Sequence, residues 1–236
     1  MDISLKPKRV AMMFFIVCLI MVLGHIGGRI THHFYGRTFG FYFFDINRED
    51  SIPTFVASMG LGICSLLLFV VGYLVKRSKL SDYLYWIGLA VFFLFMAVDE
   101  TVRIHEKLGG PLREVVNPEA LYDMVWLIPY GIVTIIIGII YLRFILRLPR
   151  ETKLLFVASG LIYILGAVGF EYISGRQDAL YGIADFGYQL FVILEEGLEL
   201  TGTALFMFSI LNHIRIQFGT VRFILPEKAA DISLDG

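Results

Sequence analysis

Six apolar stretches, each long enough to cross a bilayer, run through this 236-residue chain. They cover about residues 10–28, 53–75, 83–103, 123–143, 153–173 and 186–211. Inside hydrocarbon a backbone finds no water for its N–H and C=O groups, so a spanning segment must be a helix or a strand of a closed barrel. Runs of about 20 residues are too long for barrel strands and suit helices. The sequence therefore predicts an all-α membrane bundle of about six helices. It forms a single integral-membrane domain over 1–236, ending in a short tail from 212 to 236.

Composition agrees: 57% of residues are hydrophobic, 17% are charged, and mean hydropathy is +0.74. The formal net charge is −1, and no basic patch or motif suits nucleic acid, which excludes that partner class. Cys18 and Cys64 both fall within apolar spans and read as small packing residues.

Basic residues set the expected orientation. Of the 20 lysines and arginines, only Arg29, Arg37, Arg48, Arg103, Lys107, Arg113 and Arg176 fall on the side opposite the termini. The positive-inside rule then places both termini in the cytoplasm. Lys6-Pro7-Lys8-Arg9 before the first apolar run also resembles the start of a signal peptide. The run is long for one and lacks a small-x-small cleavage site, so a retained anchor is expected. The acids are distributed the other way, most of them in outer loops or within spans, so a cationic ligand would be drawn to the outer half.

The sixth span carries the most demanding residues. Glu195, Glu196 and Glu199 lie inside it, and a charged side chain at mid-membrane costs about 2.5–3.5 kcal/mol on insertion scales. At about 100° per residue, Asp185, Tyr188, Gln189, Glu195, Glu196, Glu199 and Thr203 form one polar stripe. Such a stripe must face protein or a wet cavity, and Gly197 and Gly202 offer places for another helix to approach. Beyond Thr203 the residues 204–208 are apolar on every face, so the polar region reads as a cup closed toward the cytoplasm.

The third span ends in Asp99-Glu100-Thr101-Val102-Arg103-Ile104-His105-Glu106. In a continuous helix Asp99, Arg103 and Glu106 share a face, and Asp99 is expected to pair with Arg103. Glu100 and His105 could then point inward only if the helix bends or unwinds. Glu171 on the fifth span is a further candidate. His25 reads as interfacial, His32 and His33 as solvent-facing or interfacial, and His213 as remote from the site. The loop 43–54 carries Asp45, Asn47 and Glu49 in faint imitation of a calcium loop, but reads better as a structural loop. Its Ser51-Ile52-Pro53-Thr54 looks like a helix start. The segment after Arg215 alternates basic and apolar residues, as expected of a tail lying on the anionic inner leaflet.

Taken together, these carboxylates far outnumber Arg103, His105 and His25, and need protons, water or a cation. A donor set rich in carboxylate with an imidazole suits a hard or borderline divalent ion such as Mg²⁺, Ca²⁺, Mn²⁺, Fe or Zn²⁺. The expected ligands are Asp99, His105, Glu171, Glu195 and Glu199. Glu100, Glu106 and Glu196 are the expected acid/base groups, and Arg103 orients an anionic head group or ligand.

Phe44-Asp45…Ile52-Pro53-Thr54, Asp99-Glu100…His105-Glu106 and Leu194-Glu195-Glu196-Gly197-Leu198-Glu199…Gly202 together resemble an uncharacterised family of bacterial multi-pass inner-membrane proteins. The resemblance spans most of the chain; it implies that location and carries no reaction. Three functions share these residues. The first is a metal-binding membrane protein, extending to a metal-dependent enzyme on a lipid or other membrane-accessible substrate. The second is a proton- or cation-coupled transporter or channel, and the third a structural or sensory membrane subunit.

Overall fold

The computed structural model describes residues 6–36, 41–48, 50–112 and 124–219, and these are helical with no strand among them. In chain order the elements are α1 Pro7–Tyr35, the single turn α2 Phe41–Phe44, α3 Ile52–Arg77, α4 Tyr83–Val102 and α5 Ile104–Leu112. They continue with α6 Leu127–Arg147, α7 Arg150–Ile164, a π-helical turn Leu165–Phe170, α8 Glu171–Tyr181 and α9 Phe186–Phe218. The helix edges reflect local chemistry. Gly36 ends α1 in the left-handed region at φ 61°, and the Ser51 hydroxyl caps α3 by accepting from Thr54 N with Pro53 in the first turn. Asp185 caps α9 by accepting from Tyr188 N at 3.1 Å.

Five helical stretches are long and apolar enough to cross a membrane: Pro7–Tyr35, Ile52–Arg77, Tyr83–Val102, Leu127–Arg147 and Arg150–Tyr181. The last joins α7, the π turn and α8 in one rod. The helix expected as a sixth span, α9, is the longest of all but does not qualify by composition, because its first half is interrupted by acids and glycines. Its place in the fold compensates, since α1, α3, α7, the π turn and α8 all pack on it, making it the central helix. Elsewhere each expected span overlaps a helix, with α1 running on to Tyr35 and the α7–α8 rod to Tyr181. The fourth starts later, at Leu127, and the third is broken at Arg103, where the backbone enters the left-handed region at φ 62° and ψ 47°.

Small residues set the closest helix contacts. On α3, Ser58 Oγ donates to Ala97 O and Ser65 Oγ to Ala90 O of α4, each at 2.7 Å. Gly202 of α9 lies against α7, where a Cβ would sit 2.9 Å from Tyr163 N and 3.0 Å from Ser159 O. The core behind these contacts gathers Cys64, Leu68, Val71, Trp86, Phe144, Met207 and Ile210, all buried. Both cysteines are free and buried, as their places in apolar spans imply.

The contact at Gly202 yields a stability test. Gly202→Leu must push backbone aside and should lower stability by about 1–3 kcal/mol. Gly197→Ala, where a Cβ meets nothing within 4 Å, should be neutral or stabilising by up to about 1 kcal/mol. Thermal unfolding in one detergent reads both; equal effects would contradict the close α7–α9 contact.

Candidate functional site

The site forms where the N-terminal half of α9 meets the C-terminal end of α4 and the π turn. Gly166 in that turn lets the rod press onto α9, since a Cβ there would lie 2.7 Å from Glu195 O and 3.1 Å from Glu199 N. The π turn inserts one extra residue per turn and re-aims the side chains of α8, a device common beside functional groups. It brings Ser174 of α8 to Glu195, with Ser174 Oγ donating to Glu195 Oε2 at 2.7 Å. Tyr163 of α7 hydrogen-bonds Glu199. Glu100 of α4, Glu171 of α8, Glu195 and Glu199 all lie within electrostatic reach of Glu196.

Five of the nine residues expected at the site from sequence are therefore gathered into one carboxylate cluster: Glu100, Glu171, Glu195, Glu196 and Glu199. Tyr163 and Ser174 complete it. Neither was expected from the sequence, because a hydroxyl within an apolar span carries no signal until its partner is known. Glu195, Glu196 and Glu199 are each half-buried.

The floor of the cluster is aromatic. Phe93 stands seven residues before Glu100 on α4, and Phe206 seven after Glu199 on α9. The helices run antiparallel, so both rings lie about 10 Å below the acids. They stack with centroids 4.5 Å apart and planes within 6°. Phe156 of α7 sits 4.7 Å from Phe206, and Trp86 5.9 Å from Phe156. Phe206, within the apolar stretch 204–208, thus belongs to an interlocked ring stack contributed by three helices.

Asp99, His105, Arg103 and Glu106 go elsewhere. The left-handed Arg103 stops α4 and starts α5 in a new phase, which breaks the shared face that a continuous helix predicts. The Asp99 carboxylate accepts from His105 N at 3.0 Å and meets His105 Nδ1 at 3.1 Å. The expected partner Arg103 instead reaches Glu106, with Nη2 to Oε2 at 3.0 Å on a surface about half exposed. The His105 ring lies 4.7 Å from Trp126 and 6.0 Å from Tyr130 of α6. So the imidazole turns toward α6 aromatics while Glu100, the next residue after Asp99, serves the α9 cluster. Among the described residues, no three His, Cys, Asp or Glu side chains stand placed to hold a metal ion.

A second polar knot ties the same end of the bundle. His25, expected at an interface, is fully buried, because the segment 41–48 folds back beneath α1. Its Nδ1 lies 3.2 Å from Ile46 N and 3.4 Å from Asp45 Oδ1. The two contacts are alternatives for one ring nitrogen, which either accepts from Ile46 N or, when it carries the proton, donates to Asp45. Asp45 Oδ1 also accepts from Asn47 N, and Asn47 Oδ1 accepts from Tyr188 of α9 at 2.7 Å. Asp45 and Asn47 are thus spent on structure, as a structural loop requires; Glu49 of that loop lies outside the described residues. His32 and His33 are exposed on the last turn of α1. His213 is buried far from the acids, its Nδ1 3.1 Å from Thr152 Oγ1 and its ring 4.7 Å from Trp86. The tail beyond residue 219 lies outside the described residues.

The chain belongs to a family described as "Domain of unknown function (DUF8692)", which matches residues 12–214. No curated protein and no solved structure matches it.

The Asp45 knot sets a pH dependence. Burial alone would raise the Asp45 carboxyl. Its hydrogen bonds to His25 and Asn47 N and the charge of nearby Arg29 outweigh that and hold it below the ordinary value of 3.8. A depressed carboxyl stabilises the fold above its unfolded pKa, and that stabilisation is lost as pH falls through the folded value. Asp45→Asn should therefore cost about 1–2 kcal/mol near pH 7. The gap between the two melting curves should hold down to about pH 4 and close only as pH falls further, through the depressed folded value; a gap that has already closed above pH 4 would refute the assignment.

Proposed function

We propose that this protein is a multi-pass inner-membrane protein with both termini cytoplasmic and α9 as its sixth span. Its carboxylate cluster opens to the outer side and binds a cation. The observation that carries the reading is the convergence of Glu100, Glu171, Glu195, Glu196 and Glu199 from three segments onto one half-buried layer above a sealed aromatic floor. Packed acids in a low-dielectric bundle repel one another unless positive charge or protons sit among them. A cation-binding function gives that arrangement a purpose.

The donor chemistry fits a hard divalent ion. Glu171, Glu195 and Glu199 would supply its oxygens by closing in from positions where, among the described residues, no three stand within common ligand reach, and Glu100 and Glu196 the surplus negative charge that holds it. The imidazole expected among the ligands does not join them, since His105 is engaged with Asp99 next to α6. A bound ion would supply Lewis acidity and fixed positive charge. The chain's own residues would do the rest. Ser174 orients Glu195 and Tyr163 orients Glu199, while the Asp99–His105 pair, turned toward the α6 aromatics, would be a separate acid/base pair for a membrane-accessible substrate. In this reading Arg103 and Glu106 form a half-exposed rim pair able to meet a polar head group.

A second reading, a cation- or proton-coupled transporter, draws on the same acids and on the π turn beside them, where a rod can change phase. The Phe93–Phe206–Phe156 floor weighs against a continuous polar route.

Elemental analysis of the purified protein is the direct test. The expected result is about one divalent ion per chain, lost in the double variant Glu195→Gln/Glu199→Gln while helicity and elution volume persist. Adding the ion at a hundredfold excess over Kd should stabilise the wild type by about 2.7 kcal/mol. Metal-free protein whose melting ignores divalent ions would remove the metal reading. Ion flux in proteoliposomes that the same double variant abolishes would favour the transporter.

A further inference from the structure

Helix α6 stands apart from the bundle. Only 6% of its most apolar window is buried, against 44% for α3, and α4 and α6 do not approach closely as backbones. Side chains bridge them near the ends of α6. Tyr130 lies opposite Phe95 at one end, and at the other the Tyr141 hydroxyl donates to Tyr85 O at 3.1 Å. Beside that second bridge, at the end of the bundle that holds His213, is a shallow cavity of about 400 Å³, broadly open to the surface and lined by Tyr85, Arg143, Leu146 and Arg147.

The charges around this cavity do not balance among the described residues. Arg143 and Arg147, one turn apart, share a face of α6, and Arg147 Nη2 meets the acid Asp82, at 3.3 Å from its Oδ1. Lys153 adds positive charge at the rim, its Nζ donating to Leu146 O at 3.3 Å. The Arg147 guanidinium lies 6.0 Å over the Tyr85 ring, which itself stacks on Phe144. Surplus planar, fork-shaped donors over an aromatic wall suit a phosphate group.

The surface leading away from the cavity is apolar and uncovered. Going back from Arg143, Ile139, Ile136 and Ile132 come at helical spacing, all at least half exposed. From Arg143 to Ile132 this row is about 16 Å long, close to the depth of one bilayer leaflet. At Gly138, between them, a Cβ would meet nothing within 4 Å.

We propose that the α4–α6 cavity binds the phosphate head of an anionic phospholipid, with one acyl chain lying along Ile139, Ile136 and Ile132. This rests on α6 being a membrane span and is independent of the cation site. Basic pockets between helices at the cytoplasmic side are where anionic head groups bind, and the expected orientation puts this cavity there.

The test uses the full chain in neutral detergent, with lipid adducts counted by native mass spectrometry and melting measured in parallel. The probes are phosphatidylglycerol, phosphatidylcholine of the same chains, and inorganic phosphate. Phosphatidylglycerol should bind and raise the melting temperature, while phosphatidylcholine and phosphate should do neither. Arg143→Gln should weaken phosphatidylglycerol by about fivefold. Asp82→Asn, which frees Arg147, should strengthen it, whereas a purely structural ion pair predicts the reverse. The Glu195→Gln/Glu199→Gln variant should bind lipid normally, which separates this site from the cation reading. Equal binding of both lipids, an equal effect of inorganic phosphate, or an unchanged Arg143→Gln would each overturn the proposal.

Discussion

The approach of two backbones at Gly166 and Gly202 sets the geometry of everything near the acids. With no Cβ at either position, the rod of α7, the π turn and α8 can lie directly on α9. That contact places Tyr163 beside Glu199 and Ser174 beside Glu195. Leucine in place of either glycine would hold the helices apart, and the glutamates would lose their hydroxyl partners while remaining in an apolar bundle. The same contact makes α9 the central helix, enclosed by neighbours that shield the acids its own composition would otherwise expose.

The molecule divides its polar groups by layer. One end holds the carboxylate cluster, the Asp99–His105 pair and the His25–Asp45 knot; the middle is a stack of phenylalanine and tryptophan rings; the other end holds His213, Thr152 and the arginines of α6. The aromatic middle separates net negative from net positive chemistry. The acidic layer is proposed as a cation site and the basic layer as an anionic-lipid site, so each end faces a partner of opposite charge.

Much of the candidate site was legible in the order of residues. Glu195, Glu196 and Glu199 stand out because charge within an apolar run is expensive, and Glu100 and Glu171 because they close other apolar runs. The split between that cluster and Asp99–His105 was not legible. A helical wheel assumes that phase is conserved, and a single left-handed residue, Arg103, resets it. His25 was misjudged for a related reason: a residue near a helix end looks interfacial until a short segment folds back over it. The π turn leaves no periodic trace, because one inserted residue shifts a pattern that is apolar on all sides.

The sequence by itself determined the material and its period. Long apolar runs require helices in a membrane-like medium, since backbone groups there have no other partner, and the polar stripe on α9 requires an enclosed neighbour. Which neighbour it received was decided only by tertiary structure. Glycine contacts, the π turn and the break at Arg103 select Tyr163, Ser174 and Glu100 as the partners of the stripe and send His105 toward Trp126. Hydrophobicity is non-directional and acts residue by residue, so it can be read along the chain. Partner choice depends on distances between residues far apart in sequence, and only the packed bundle fixes those.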